Sequence, residues 1–225
     1  VGILSGFFGF GGGFIITPFL FVLGVPPNVA VGTSIAQILG GSVIATLRHR
    51  NLGHVDFKLG MIIAIGSIIG VEVGAQLVEY FKRISIQALD TSISLTYILV
   101  LGSISIFMSY EAWKSRREDS TSSIKRFAQK IYCLRIPPMI SLPQSNIASI
   151  SLWVILFVGL ITGVSAGFMG AGGGFIRVPS LIYLIGCETV IAVGTDLFEI
   201  LISGVYATFS HAMKDNVDVV LAIIM

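Results

Sequence analysis

No Asp, Glu, Lys or Arg occurs between Val1 and Leu47, and none between Ile136 and Ile176. As one helix at about 1.5 Å per residue, the first stretch would run roughly 70 Å, more than twice a hydrocarbon core of roughly 30 Å. It must turn at least once, and Pro26-Pro27 marks the place. Charged residues make up 12% of the 225 and hydrophobic ones 54%, against roughly 25% charged in ordinary globular domains. The chain reads as an all-α, polytopic helical membrane protein, a multi-pass protein of the cell membrane with the lipid bilayer as its first partner. A net charge of +2 is too small for a polyanion, so nucleic acid is excluded as a partner.

Apolar segments fall at 1–8, 14–23, 28–47, 59–81, 86–110, 147–168, 175–185 and 189–210, with another starting at 217. Segments of roughly 20 residues can cross a bilayer, whereas 14–23 and 175–185 reach about half way. Each short segment follows a glycine run and carries a proline, Pro18 or Pro179, in its first turns. Both read as half-helices that begin inside the membrane.

Seven of the 14 basic residues lie between Lys114 and Arg135. Segment 114–146 is therefore expected to be a basic cytoplasmic linker between membrane units 1–113 and 147–225. With one crossing per long segment, Arg48, Arg50 and Lys58 fall on the same side, and Lys82-Arg83 on the other. Cys133 and Cys187 form no C-x-x-C motif and read as free thiols.

The units are related. Over residues 6–23, 11 of 18 positions recur identically 161 residues later, and over 30–56, 12 of 27 recur 162 later. The matches include Gly11-Gly12-Gly13 with Gly172-Gly173-Gly174, Thr33 with Thr195, His49 with His211 and Asp56 with Asp218. Composition bias does not hold Gly, Pro, His and Asp in step for fifty residues, so the chain reads as two homologous repeats. By the same logic roughly 15 residues are expected before the first repeat and roughly 50 after the second, which stops short. Loss of basic residues at the counterparts of Arg48, Arg50 and Lys58 favours an inverted relation.

Irregular backbone in hydrocarbon survives only around a protein-lined or watered cavity. A half-helix starting there aims its first N–H groups and its dipole at that cavity, which suits an anion. Gly11, Gly12, Gly13, Gly172, Gly173 and Gly174 are thus candidates for substrate binding, and close helix packing is the alternative. A dinucleotide fingerprint fails, because the last glycine of G-x-G-x-x-G falls on Phe14 or Ile16.

Asp196 and Glu199, three residues apart, share a helical face. They are candidates for proton coupling, with Ser34 and Gln37 as uncharged counterparts. Arg177 either meets an anion directly or neutralises that pair. Glu72 and Gln76 share a face of segment 59–81. No His/Cys/carboxylate cluster has metal spacing and no Ser-His-Asp arrangement stands out, so neither metal, cofactor nor catalytic triad is expected.

The glycine runs ending in Phe14…Pro18 and Phe175…Pro179 resemble the TauE/SafE family of sulfite-exporter-like permeases. So do Val31-Gly32-Thr33-Ser34 and Val193-Gly194-Thr195-Asp196, followed by His49…Asp56 and His211…Asp218. That resemblance implies a permease of about eight spans moving sulfite, organosulfonates or related small anions, with no enzymatic activity. Thr33, Ser34, Thr195 and Asp196 would line the path, with Arg177 and the glycines holding the anion. An anion channel, a structural membrane subunit and an intramembrane acid/base enzyme are the other readings, and a homo-oligomer is left open.

Overall fold

The computed structural model describes residues 12–115, 136–145 and 147–224. Gly11, Cys133, segment 1–8 and most of the basic linker lie outside the described residues. The elements are α1 (Gly13–Val22), α2 (Pro27–Asn51), α3 (Phe57–Ile84), α4 (Ile86–Ser115), strands β1 (Met139–Leu142) and β2 (Ile147–Ser151), α5 (Leu152–Met169), α6 (Gly174–Ser180), α7 (Thr189–Ala212) and α8 (Val219–Ile224). A π-helical turn, Leu181–Ile185, extends α6. Among the described residues, five helices are long and apolar enough to cross a membrane: α2, α3, α4 (over Ile86–Tyr110), α5 and α7.

Segment 147–168 departs from the expected continuous helix. Its first residues pair as β2 with β1, antiparallel, with Ile140 opposite Ile150. Alternating burial along β1 and β-branched residues in both strands suit a pleated surface rather than a helical turn. The hairpin closes over the α2–α3 corner: Lys58 Nζ donates to Ser141 O at 2.9 Å and Ser145 Oγ to Asp56 Oδ2 at 2.7 Å. The two prolines occupy the same place in their half-helices, Pro18 in the second turn of α1. Pro179 sits in the second turn of α6, and the π-helical turn follows directly.

Two contacts set the helix directions. The Asp56 N–H, at the start of α3, donates to Thr195 Oγ1 near the start of α7 at 3.0 Å. The Asp218 N–H, just after α7, donates to Thr33 Oγ1 near the start of α2 at 3.0 Å. The start of α7 therefore lies beside the end of α2 and the reverse, so the two run antiparallel. These contacts also define the molecule's two ends, called here the Asp56 face and the Asp218 face.

Helices α3 and α5 run parallel. Gly66, Gly70 and Gly74 face the backbone at Leu156, Leu160 and Val164, while Gly159, Gly163 and Gly167 face Ile63, Ser67 and Val71. A Cβ at Gly70 would lie 2.2 Å from Leu160 O, so only glycine lets the two backbones approach this closely. Glycine at every fourth position builds this seam, a spacing visible in the sequence but absent from the expectations above.

From the Asp56 face, α5 runs inward to Gly170, whose φ of 73° turns the chain. Helix α6 then returns to the same face, where Leu181, Ile185 and Cys187 pack with Leu59, Leu142 and Ile147. The α5–α6 pair thus leaves and returns to the Asp56 face. The other half-helix, α1, starts against this turn, with Thr17 Oγ1 donating to Gly170 O at 3.3 Å. It leads to the Asp218 face, where Asn28 Nδ2 donates to Asn216 Oδ1 at 2.8 Å. Helix α4 lies outermost, held by Leu89, Ile93 and Tyr97, whose hydroxyl donates to Met169 O at 2.8 Å.

Candidate functional site

Arg177 is fully buried, one turn beyond the glycines that open α6. Its Nη1 donates to Asp196 Oδ1 at 2.8 Å and forms an ion pair with Glu199. Its Nε donates to Thr162 Oγ1 at 3.3 Å and its Nη2 to Ser67 Oγ at 3.4 Å. Four elements, α3, α5, α6 and α7, thus converge on one guanidinium. Asp196 and Glu199 are also fully buried, and the three-residue spacing brings both to the same arginine, as a shared helical face requires. Asp196 Oδ2 and Glu199 Oε1 have no hydrogen-bond partner among the described residues.

The first-half counterparts carry no charge. Ile16 is buried in the apolar cluster with Leu20 and Ala30, and Ser34 Oγ donates to Ala30 O at 2.7 Å. Among the described residues, the charges of this cluster, Arg177, Asp196 and Glu199, therefore all come from the second half.

Gly12 and Gly173 cap α1 and α6 in left-handed backbone, at φ 80° and 74°, which favours glycine. The helix starts meet closely: a Cβ on Gly13 would lie 2.9 Å from Gly170 O, and one on Gly173 2.7 Å from Thr162 O. Gly172 lines a cavity of about 10 Å³ with Ile38, Ile200 and Ser203, room for about one water. Gly174 is buried as the first residue of α6. Thr33 and Thr195 are both fully buried, each holding the N–H described above. In this conformation the charged cluster is sealed.

Ser67 and Thr162 were not singled out from the sequence. Each is an uncharged hydroxyl in an apolar segment, bonded as well to its own or the neighbouring helix backbone: Ser67 Oγ donates to Gly159 O at 3.1 Å and Thr162 Oγ1 to Val158 O at 2.8 Å. Only their place on the glycine seam, one face of each helix, marks them.

Towards the Asp218 face, Glu72 is a second polar centre. It accepts from Gln76 at 3.2 Å, Tyr206 at 3.1 Å, Ser210 at 2.7 Å and Lys214 at 3.1 Å. An open cavity of about 760 Å³ lies alongside, lined by Glu72, Gln76, Glu79, Tyr80, Arg83 and Lys214. His211 is fully buried, its Nε2–H donating to Gly167 O at 3.0 Å, a role in helix packing. Cys187 is a buried free thiol, pushed up to about 12 by burial and, less, by the nearby Asp56 charge, against a hydrogen bond with Ser145. Among the described residues no group of His, Cys, Asp and Glu is arranged to hold a metal ion.

The family model described as "Sulfite exporter TauE/SafE" matches residues 1–225. A "Probable membrane transporter protein YunE" from Bacillus subtilis is 27% identical over 225 residues, covering 96% of this chain and 76% of that protein. A "Probable membrane transporter protein" from Xylella fastidiosa is 25% identical over 220 residues, covering 97% and 72%. The "Sulfite exporter TauE/SafE family protein 2" of Arabidopsis thaliana is 27% identical over 117 residues, 48% of this chain and 26% of that protein. No solved structure matches the chain. Its apolar spans, its half-helices and the full-length match agree: the chain belongs to the sulfite exporter TauE/SafE family and is a multi-pass membrane transporter, not an enzyme.

Proposed function

We propose that this transporter carries a small anion, a sulfur oxyanion or organosulfonate, with Arg177 as its electrostatic centre. The observation that carries the reading is one fully buried guanidinium at a glycine-lined re-entrant turn, between two carboxylates and two hydroxyls. An ionisable cluster at this depth is expensive and by default functional. The helix starts at Gly12-Gly13 and Gly173-Gly174 direct N–H groups and positive dipole ends towards the same turn. Thr33, Ser34, Thr195 and Asp196 flank the route, and the TauE/SafE description fits sulfite or a chemical relative as cargo.

We infer further that the two halves form an inverted repeat. Thr33–Asp218 and Thr195–Asp56 are the same contact made twice, at positions 162 apart, between antiparallel helices. The cap that follows also recurs: Asp56 Oδ1 accepts from the Leu59 N–H and Asp218 Oδ1 from the Leu221 N–H, both at 3.0 Å. Inverted halves offer alternating access by rocking one half against the other around a central site.

Reconstitution into liposomes tests the cargo. Sulfite, a short-chain sulfonate, sulfate and a carboxylate are offered in turn, and uptake against a gradient is measured. Concentrative uptake of a sulfur anion supports the carrier reading; flux that only equalises concentrations indicates a channel.

A further inference from the structure

Resting on that cargo reading, we propose that Arg177, Asp196 and Glu199 form an electroneutral symport site, which takes one proton with each monoanion. One guanidinium faces two carboxylates, so the fully buried cluster carries a formal charge of −1. Its other polar neighbours, Ser67 and Thr162, are neutral. Nothing else recorded around it changes the count. Helix α5 contains no ionisable residue, and those of α2 sit in its last turn at Arg48, His49 and Arg50, where His49 Nδ1 faces Gly194, two residues before Asp196, and counts as neutral. On α3, Glu72 is matched by Lys214 and Glu79 by Lys82, Lys58 donates to Ser141 O, Arg83 lines the open cavity towards the Asp218 face and Asp56 caps the helix, while His211 on α7 is bonded to Gly167 O.

An anion docking on Arg177 with no other change would take this sealed cluster from −1 to −2, and buried unpaired charge is strongly unfavourable. A proton arriving with the anion holds the cluster at −1. Glu199 is the acceptor in this scheme, and the variants below test that choice. Asp196 takes the 2.8 Å hydrogen bond from Nη1 and Glu199 pairs with the same nitrogen, and each keeps an oxygen, Asp196 Oδ2 and Glu199 Oε1, without a hydrogen-bond partner among the described residues. The incoming anion oxygen replaces Glu199 on Nη1. Glu199 binds H⁺ from the aqueous phase, forming one O–H bond, and nothing else is made or broken. Release reverses both events, so each cycle moves one H⁺ and one monoanion and no net charge.

The full chain in liposomes decides this with a strong-acid sulfonate, which stays monoanionic at every pH used. An inward proton gradient at zero voltage should drive accumulation of about ten-fold per pH unit. A potassium–valinomycin potential without a proton gradient should drive none. Glu199→Gln should lose proton-driven accumulation and become voltage-sensitive, while Glu199→Asp retains coupling. If the glutamine variant does not fold, the wild-type voltage and proton arms still decide. Voltage-driven or sodium-driven accumulation by the wild type overturns the proposal while leaving the anion reading intact; no flux of any anion overturns both.

Discussion

Thr195 Oγ1 accepts the Asp56 N–H at 3.0 Å across 139 residues of sequence, tying the start of α7 to the start of α3. Its counterpart, Thr33 on Asp218, has the same length but an exposed partner, whereas Asp56 is 2% exposed. Losing a hydrogen bond costs most when the abandoned group is buried. Thr195→Val should therefore destabilise by about 1–3 kcal/mol and Thr33→Val by about 0.5–1 kcal/mol. Thermal unfolding in detergent measures both, and serine at either position should restore most of the loss.

The glycine seam predicts a sharp contrast. Gly70→Ala puts a methyl 2.2 Å from Leu160 O, so α3 and α5 must separate. We expect a loss of about 3 kcal/mol or more, beyond ordinary overpacking because the obstacle is backbone. Gly102→Ala on α4 meets nothing within 4 Å and should be neutral or slightly stabilising, by up to about 1 kcal/mol from helix propensity. Equal effects in a melting comparison would contradict the seam.

Lys214→Ala should have a modest effect. The Lys214–Glu72 pair is part-exposed, at 21% and 32% of its side chains, and Glu72 keeps Tyr206, Ser210 and Gln76 as donors. About 0.5–1 kcal/mol is the expected loss. Glu72→Gln should leave the proton dependence of flux unchanged, since Glu72 is absent from the Arg177 cluster; a flattened pH profile in that variant would move the coupling site.

Topology is testable with single cysteines at Asn51, the last residue of α2, and Met213, just after α7, in a chain whose Cys133 is replaced by serine. Antiparallel α2 and α7 put them on opposite faces, so a membrane-impermeant maleimide should label one from each side. Native Cys187 should stay silent below about pH 9, because burial holds its thiol near 12 and thiolate is the reactive form. Labelling of both positions from one side would refute the arrangement.

The membrane class, the half-helices and the pairing of Asp196 with Glu199 were legible because each rests on local spacing: charge-free length, glycine runs, and i to i+3 on a helix. Arg177 was legible as either an anion contact or a partner of those carboxylates; the choice between them was hidden, since α6 and α7 meet only after α5 and α6 fold back on themselves. Ser67 and Thr162 were hidden for a related reason. Their importance lies in facing a guanidinium from another helix, and one hydroxyl among apolar neighbours does not announce which helix it will face. The β1–β2 hairpin was missed because Ile147, Ile150 and their neighbours are as apolar as the helix they precede, and hydropathy alone cannot separate strand from helix there.

Flux through a charge-free cluster tests the central claim most directly. Removing one member of a buried ion pair leaves the rest uncompensated and costs about 3–5 kcal/mol, whereas replacing the whole set is often tolerated. The triple variant Arg177→Met, Asp196→Asn, Glu199→Gln should therefore reconstitute as a folded protein. We predict that it loses concentrative uptake of sulfite and of short sulfonates by at least about a hundred-fold, the scale of one strong charge-assisted contact. Uptake at the parent rate by this folded variant would contradict the assignment of Arg177 as the anion's electrostatic centre.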